Sequence, residues 1–160
     1  MNKYKKIFLT GASGGIGKAI CEKFINYEFK LILTSSSSSK LQNLKNQYGS
    51  EHYYYEMDLS NAKKLQNSLD IISNEHKDIS VIVNNAGKTH DNLIFRMKND
   101  QWDEVLQTNL NSNYQIIKSL LPNMLSNKYG KIIGISSIVG STGNPGQANY
   151  VASKSGLVGL

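Results

Sequence analysis

Short apolar runs alternate along this chain with longer segments in which apolar residues return every three or four positions, which predicts five strands with helices between them. Ile7-Phe-Leu-Thr10 reads as a first strand that runs at once into Gly11-Ala-Ser-Gly-Gly-Ile-Gly17. Ile16, Ala19, Ile20, Phe24 and Ile25 then recur at helical spacing and predict an apolar stripe turned toward a sheet. Leu31-Ile-Leu33 is a second strand ended by the serines from Ser35 to Ser39, and Leu41, Leu44 and Tyr48 space a second helix. His52 to Met57 predicts a third strand, with Ser60 placed to cap a third helix through Leu65, Leu69 and Ile72. Val81-Ile-Val83 is a fourth strand that stops at Asn84-Asn-Ala-Gly87. One long helix is expected from Asn99 or Asp100 to about Asn127, kinked at Pro122. Ile132, Ile133 and Ile135 mark a fifth strand, and a last helix opens near Gln147 or Tyr150.

Strands this apolar are buried on both faces, and their alternation with helices predicts an α/β fold: a doubly wound parallel sheet joined by right-handed crossovers. Sheets of this kind bind ligands at the carboxyl ends of their strands. The glycine loop, Asn84 to Gly87, Ser137 and Tyr150 all follow predicted strand ends, so separate signals converge on one rim.

The 160 residues suit a single domain. Cys21 is the only cysteine, which excludes a disulfide framework and a cysteine-rich metal site; no metal is expected, and a reducing compartment fits. The net charge of +6 raises nucleic acid as a partner, yet the positive residues are dispersed lysines and Arg96 is the only arginine. No nucleic acid is therefore expected, and the charge suits a phosphate-bearing cofactor or an acidic partner. The opening Met-Asn-Lys-Tyr-Lys-Lys-Ile-Phe-Leu has no apolar run long enough for a signal peptide or membrane span, so the expectation is a soluble cytoplasmic protein.

Two stretches carry the chemistry. Gly11, Gly15 and Gly17, between a strand and a helix, let pyrophosphate oxygens approach peptide donors at the helix start; their Gly-x-x-x-Gly-x-Gly spacing departs from the Gly-x-Gly-x-x-Gly fingerprint. Thr10 and Ser13 offer hydroxyls beside that loop. Asp58, with the backbone around Leu59, is placed to accept from an adenine amino group. The second strand ends in Thr34-Ser35 without a carboxylate, so the hydroxyls and Lys40 tolerate a ribose 2′-phosphate and favour NADP over NAD. Tyr150 and Lys154, four apart, share a helix face on which the ammonium favours the phenolate, with Ser137 upstream. Tyr114 and Lys118 repeat the spacing inside an amphipathic helix, so the surroundings must decide between the two pairs.

Thr10-Gly-Ala-Ser-Gly-Gly-Ile-Gly17, Asn84-Asn-Ala-Gly87, Asp91-Asn-Leu-Ile-Phe-Arg-Met-Lys98, Thr108-Asn-Leu110, Ile135-Ser-Ser-Ile-Val-Gly140 and Gly143-Asn-Pro-Gly-Gln-Ala-Asn-Tyr-Val-Ala-Ser-Lys154 span nearly all of the chain. Through them it resembles the short-chain dehydrogenase/reductase family, and within it the 3-oxoacyl-[acyl-carrier-protein] reductases. The resemblance implies a Rossmann-type fold, NADP(H) as cofactor and a catalytic tetrad of Asn109, Ser137, Tyr150 and Lys154. Tyr150 would protonate the substrate carbonyl, Ser137 would hold its oxygen, Lys154 would lower the phenol's pKa and hold the nicotinamide ribose, and Asn109 would seat a relay water. Around the cofactor it adds Ile16 in the glycine loop, the amides of Asn84 and Asn85 bridging neighbouring strands, and Ala86 and Gly87 leaving room. Gly14 departs from the pattern, standing where many NADP-using members carry arginine.

The implied partner is an acyl carrier protein bearing a 3-oxoacyl group in fatty-acid biosynthesis, with Lys128 and Arg96 as candidate docking residues and a homotetramer in a full-length form. Family members usually continue past the catalytic helix, so residues 1–160 are expected to form an incomplete domain without the late strands and the substrate-covering segment. Two other functions remain open: a reductase of another small carbonyl compound, and a truncated, non-catalytic nucleotide-binding or interaction module.

Overall fold

The computed structural model describes residues 6–160. Its centre is a five-stranded sheet of β1 (Lys6–Leu9), β2 (Lys30–Ser35), β3 (Tyr53–Glu56), β4 (Ile79–Asn84) and β5 (Lys131–Gly134). The strands run in the order β3-β2-β1-β4-β5, all pairs parallel, with Ile7 opposite both Leu31 and Val81. Successive side chains of a strand point to opposite faces, and the core divides accordingly. On one face Phe8, Ile32 and Ile82 meet Leu65, Leu69 and Ile72 of α3 (Ala62–Glu75) and Ile116 and Leu120 of α5 (Ser112–Ser126). On the other, Ile7, Leu31, Leu33 and Val83 meet Cys21 of α1 (Gly15–Ile25) and Leu41 and Leu44 of α2 (Ser38–Tyr48). Each fully buried aliphatic side chain contributes about 1.5–3 kcal/mol.

The chain first winds outward from β1 to β3, then returns through α3 to place β4 on the other side of β1. That reversal opens a crevice above the carboxyl ends of β1 and β4. Beyond β4 come a 3₁₀ turn (Ile94–Arg96), α4 (Asn99–Leu106), a π-helical turn (Gln107–Asn111) and α5. After β5 follow the one-turn α6 (Val139–Thr142) and α7 (Ala148–Gly159). No helix among the described residues is long and apolar enough to cross a membrane.

Several local expectations change. The buried residues of α1 are Gly17 and Cys21, whereas Ile16 is 61% exposed and Ala19 is also outside. Gly17 rests on Gly11 and Ala12 of the loop after β1 and Ile16 lines the crevice, while Ile20, Phe24 and Ile25 pack partly buried against the core as expected. Asn61, not Ser60, caps α3 by accepting from Lys64 N at 3.0 Å; Ser60 donates its hydroxyl to Asp58 at 2.6 Å instead. The long helix contains the π turn, and Pro122 lies inside α5 without ending it. β3 is shorter than predicted at both ends, and β5 stops one residue before Ile135.

Candidate active site

Gly11 follows β1 with φ +66°, and a Cβ there would stand 2.9 Å from the Ala86 Cα. Only glycine accepts both the left-handed backbone and that approach. Behind the loop, Thr10 Oγ1 accepts from the Asn85 and Ala86 amides at 3.1 and 3.0 Å, while Asn85 Nδ2 donates to the Thr10 and Gly11 carbonyls. Asn85 thus bridges β1 and β4, as its sequence context predicts. Thr10 is buried and serves this bridge, while Ser13 is the hydroxyl that reaches the crevice. Above Gly15 lies open space, and no side chain caps the first turn of α1. The loop therefore offers bare amides and a positive helix end to an anion.

The crevice is a cavity of about 540 Å³, within the range of cofactor sites. Gly11, Ser13, Gly15, Ile16, Gly17, Ser35, Asp58, Leu59, Asn85, Ala86 and Gly87 all line it. At one end Ser13 and Ser35 share a hydroxyl contact at 3.2 Å beside Lys40, which makes no ion pair among the described residues. Asp58 accepts from the Ser60 hydroxyl and amide, and these bonds hold its carboxyl below the usual carboxylate range. Lys88, Glu104 and Thr108 also line the cavity; sequence reasoning missed them because each sits in an ordinary loop or helix context.

The π turn brings Asn109, fully buried, against the β4 loop. Its Oδ1 accepts from Lys88 N at 2.9 Å, and its Nδ2 donates to Lys88 O at 2.9 Å and to Ser153 Oγ at 3.0 Å. Lys154, 4% exposed, donates to the Ile135 carbonyl at 2.7 Å, and burial lowers its pKa. A Cβ on Gly87 would lie 3.5 Å from both Asn109 Oδ1 and Lys154 Nζ, so this glycine marks where the two side chains converge beside the cavity. The Lys154 ammonium is 5.6 Å from the centre of the Tyr150 ring. Ser137 lies two residues past Ile135 on the loop opening α6, its carbonyl accepting from Gly140 N at 3.0 Å. Among the described residues no cluster of histidine, cysteine and carboxylate side chains forms a metal site.

Two α7 residues outside the expected site set hold the helix in place. Buried Asn149 donates to the His90 and Gln101 carbonyls at 3.0 and 3.1 Å, and buried Ser153 joins Asn109 to the Tyr150 carbonyl. Their signal is visible only in retrospect, as small polar residues flanking Tyr150 on the face that carries Lys154. The competing pair has a Lys118 ammonium 5.8 Å from the Tyr114 ring, but Tyr114 is 51% exposed on the flank of α5. Spacing and distance are alike; burial beside a cavity distinguishes Tyr150 and Lys154.

A family model described as short chain dehydrogenase matches residues 5–160. The chain belongs to this family. Short chain dehydrogenases are oxidoreductases, and the parallel five-stranded sheet with helices on both faces is this member's fold. Among curated relatives, the 3-oxoacyl-[acyl-carrier-protein] reductase of Escherichia coli K12 is 39% identical over 161 residues, covering 100% of this chain and 66% of the relative. That of Salmonella typhimurium is 38% identical, covering 98% of this chain and 64% of the relative. The chain thus spans about two thirds of the length of these relatives. A metagenomic short-chain oxidoreductase crystallised with NADP superposes with a TM-score of 0.91 at 32% identity, over 98% of this chain and 71% of that one. A short-chain dehydrogenase from Streptomyces avermitilis gives 0.88 at 25% identity, over 98% and 58%.

Proposed function

We propose that this chain binds NADP(H) and carries the catalytic residues of a 3-oxoacyl-[acyl-carrier-protein] reductase, which converts a 3-oxoacyl thioester on acyl carrier protein to the 3-hydroxyacyl thioester in fatty-acid biosynthesis. The observation that carries the reading is the buried Lys154 ammonium, held at Ile135 and set beside both the Tyr150 ring and the cavity floor at Gly87. The names of the curated relatives support the substrate class. Exposed Lys128 and Arg96 give an acidic carrier protein two cations to meet.

Two features of the cavity fit the cofactor. The open face over Gly15 admits a pyrophosphate, and the end formed by Ser13, Ser35 and Lys40 has hydroxyls and an unpaired cation for a 2′-phosphate. When bound, reduced nicotinamide supplies hydride to a carbonyl carbon. Tyr150 gives its phenolic proton to the carbonyl oxygen, and Ser137 donates a hydrogen bond to that oxygen as negative charge grows on it. Lys154 stabilises the phenolate left behind. Asn109 fixes the Lys88 segment and Ser153 around this path and seats the water that returns the proton.

The test compares NADPH-dependent reduction of a 3-oxoacyl carrier substrate by the parent and by Tyr150→Phe, with a small ketone as second substrate. Loss of the proton donor should cost at least about a hundredfold in rate. Undiminished turnover by Tyr150→Phe refutes the mechanism, whereas a higher kcat/KM for the ketone refutes the carrier-bound substrate and leaves the mechanism standing.

A further inference from the structure

Four charged side chains line the cavity: Lys40, Asp58, Lys88 and Glu104. Asp58 is engaged by Ser60, and Lys40 stands free at the hydroxyl end. Lys88 pairs through its ammonium with Glu104 Oε1. The root of Lys88 is fixed, since Asn109 grips its amide and its carbonyl at 2.9 Å each. The tip is not: the side chains of Lys88 and Glu104 are 39% and 40% exposed, and both face the cavity. The positive charge of Lys88 adds slightly to the Ser60 hydrogen bonds that hold the Asp58 carboxyl below its usual range.

Glu104 has an alternative partner. Its Oε2 lies 4.0 Å from His90 Nδ1. His90 Nε2 accepts from the Gln101 side-chain amide at 3.1 Å, which leaves the proton of the neutral ring on Nδ1, facing Glu104. Removing Lys88 from Glu104 therefore does not strand the carboxylate.

We propose that Lys88 is a cofactor-binding cation held in reserve by Glu104: an incoming dinucleotide draws the ammonium to its anionic oxygens, and Glu104 turns to His90. The proposal rests on the dinucleotide reading above and adds to it a residue pair that acts on the body common to NADH and NADPH. Since Glu104 competes with the ligand for Lys88, the two partners have opposite effects on affinity. A bridge that merely braced α4 against the β4 loop would give both the same sign.

Lys88→Met and Glu104→Gln preserve size and remove charge. Binding of NADPH and NADH to the parent and both variants is titrated by nucleotide fluorescence at two salt concentrations, with circular dichroism checking the fold. Lys88→Met should weaken both nucleotides by roughly threefold to tenfold and flatten the salt dependence, as loss of one partly exposed charge contact predicts. Glu104→Gln should tighten both by roughly twofold to fivefold. Glu104→Gln that fails to tighten binding, or Lys88→Met that fails to weaken it, overturns the proposal. A parent that binds neither nucleotide saturably refutes the dinucleotide reading itself, an outcome distinct from same-sign changes in the variants.

Discussion

Gly15 and Gly17 are two residues apart in one loop, yet a methyl group should act on them in opposite ways. At Gly17 an added Cβ would lie 2.9 Å from the Ala12 Cα and nearer still to the Gly11 carbonyl oxygen. Carbon pairs settle at about 3.5–4.0 Å, so α1 must retreat by roughly 0.6–1 Å from the loop backbone it rests on. Overpacking costs typically about 1–3 kcal/mol, and the upper end applies because the obstacle is backbone with no rotamer to yield. In a domain of this length each kcal/mol shifts Tm by about 2–4 °C, so Gly17→Ala should melt about 6–12 °C lower. At Gly15 nothing lies within 4 Å. Alanine is the better helix former by up to about 1 kcal/mol, so Gly15→Ala should melt at or slightly above the parent temperature. Its methyl would nevertheless stand over the amides that receive the pyrophosphate, and NADPH affinity should fall at least about tenfold, or about 1.4 kcal/mol. Thermal melts by circular dichroism and a nucleotide titration read the two effects separately. A Gly17→Ala melt indistinguishable from the parent's, or unchanged affinity in Gly15→Ala, would refute the division of labour.

Two further outcomes follow from charge. Ser35→Asp sets a carboxylate in place of the hydroxyl that meets Ser13 and should erode an NADPH-over-NADH preference by about tenfold at fixed ionic strength; a parent that already binds NADH as tightly would contradict the NADP assignment. Buried His76 accepts from Lys6 Nζ at Nδ1 and contacts the Tyr55 hydroxyl at 2.7 Å, with the Tyr53 ring edge-on to its own and the Glu75 and Asp78 carboxylates nearby. Burial, then Lys6, hold its pKa below the unfolded value of about 6.5, so the unfolded chain takes up the proton first. Stability is therefore full above that value and is lost as pH falls from it toward the lower folded pKa. Denaturant melts across this window should show a shallower decline for His76→Gln, whose amide keeps a donor and an acceptor but does not titrate; an unchanged slope would assign the acid sensitivity elsewhere, buried His52 being the next candidate.

What the sequence made legible were features with a period or a steric necessity. Strands β1, β2 and β4 are unbroken apolar runs, whereas their order in the sheet leaves no periodic signal. On α1 the apolar period identifies Ile20, Phe24 and Ile25, which pack against the core, but not Ile16 and Ala19, which are exposed where the helix meets the glycine loop through Gly17, a residue that carries no apolar signal. The 3₁₀ turn and α6 are too short for a period to register. The π turn was invisible for another reason, since Thr108-Asn109-Leu110 has the composition of an ordinary helix and only the grip of Asn109 on Lys88 and Ser153 reveals the extra residue.

The two tyrosine–lysine pairs show which link connects pattern to chemistry. Both have the i, i+4 spacing and nearly the same ring-to-ammonium distance, so helix geometry alone produces the contact wherever those residues occur. An exposed ammonium such as Lys118 has its field screened by water, and its effect on a neighbouring phenol is small. Lys154 differs because its surroundings remove the water: Ile135 supplies one carbonyl, Gly87 leaves the space its ammonium borders, and Gly140 lets the α6 backbone close on the Lys154 backbone, where a Cβ would come within 3.1 Å. Desolvation raises the cost of the charge and, by the same low dielectric, strengthens its action on Tyr150. The pair proposed as reactive is therefore specified less by Tyr150 and Lys154 than by the glycines and carbonyl that bury one of them, and substituting Gly140 should impair the proposed site while leaving both side chains in the sequence.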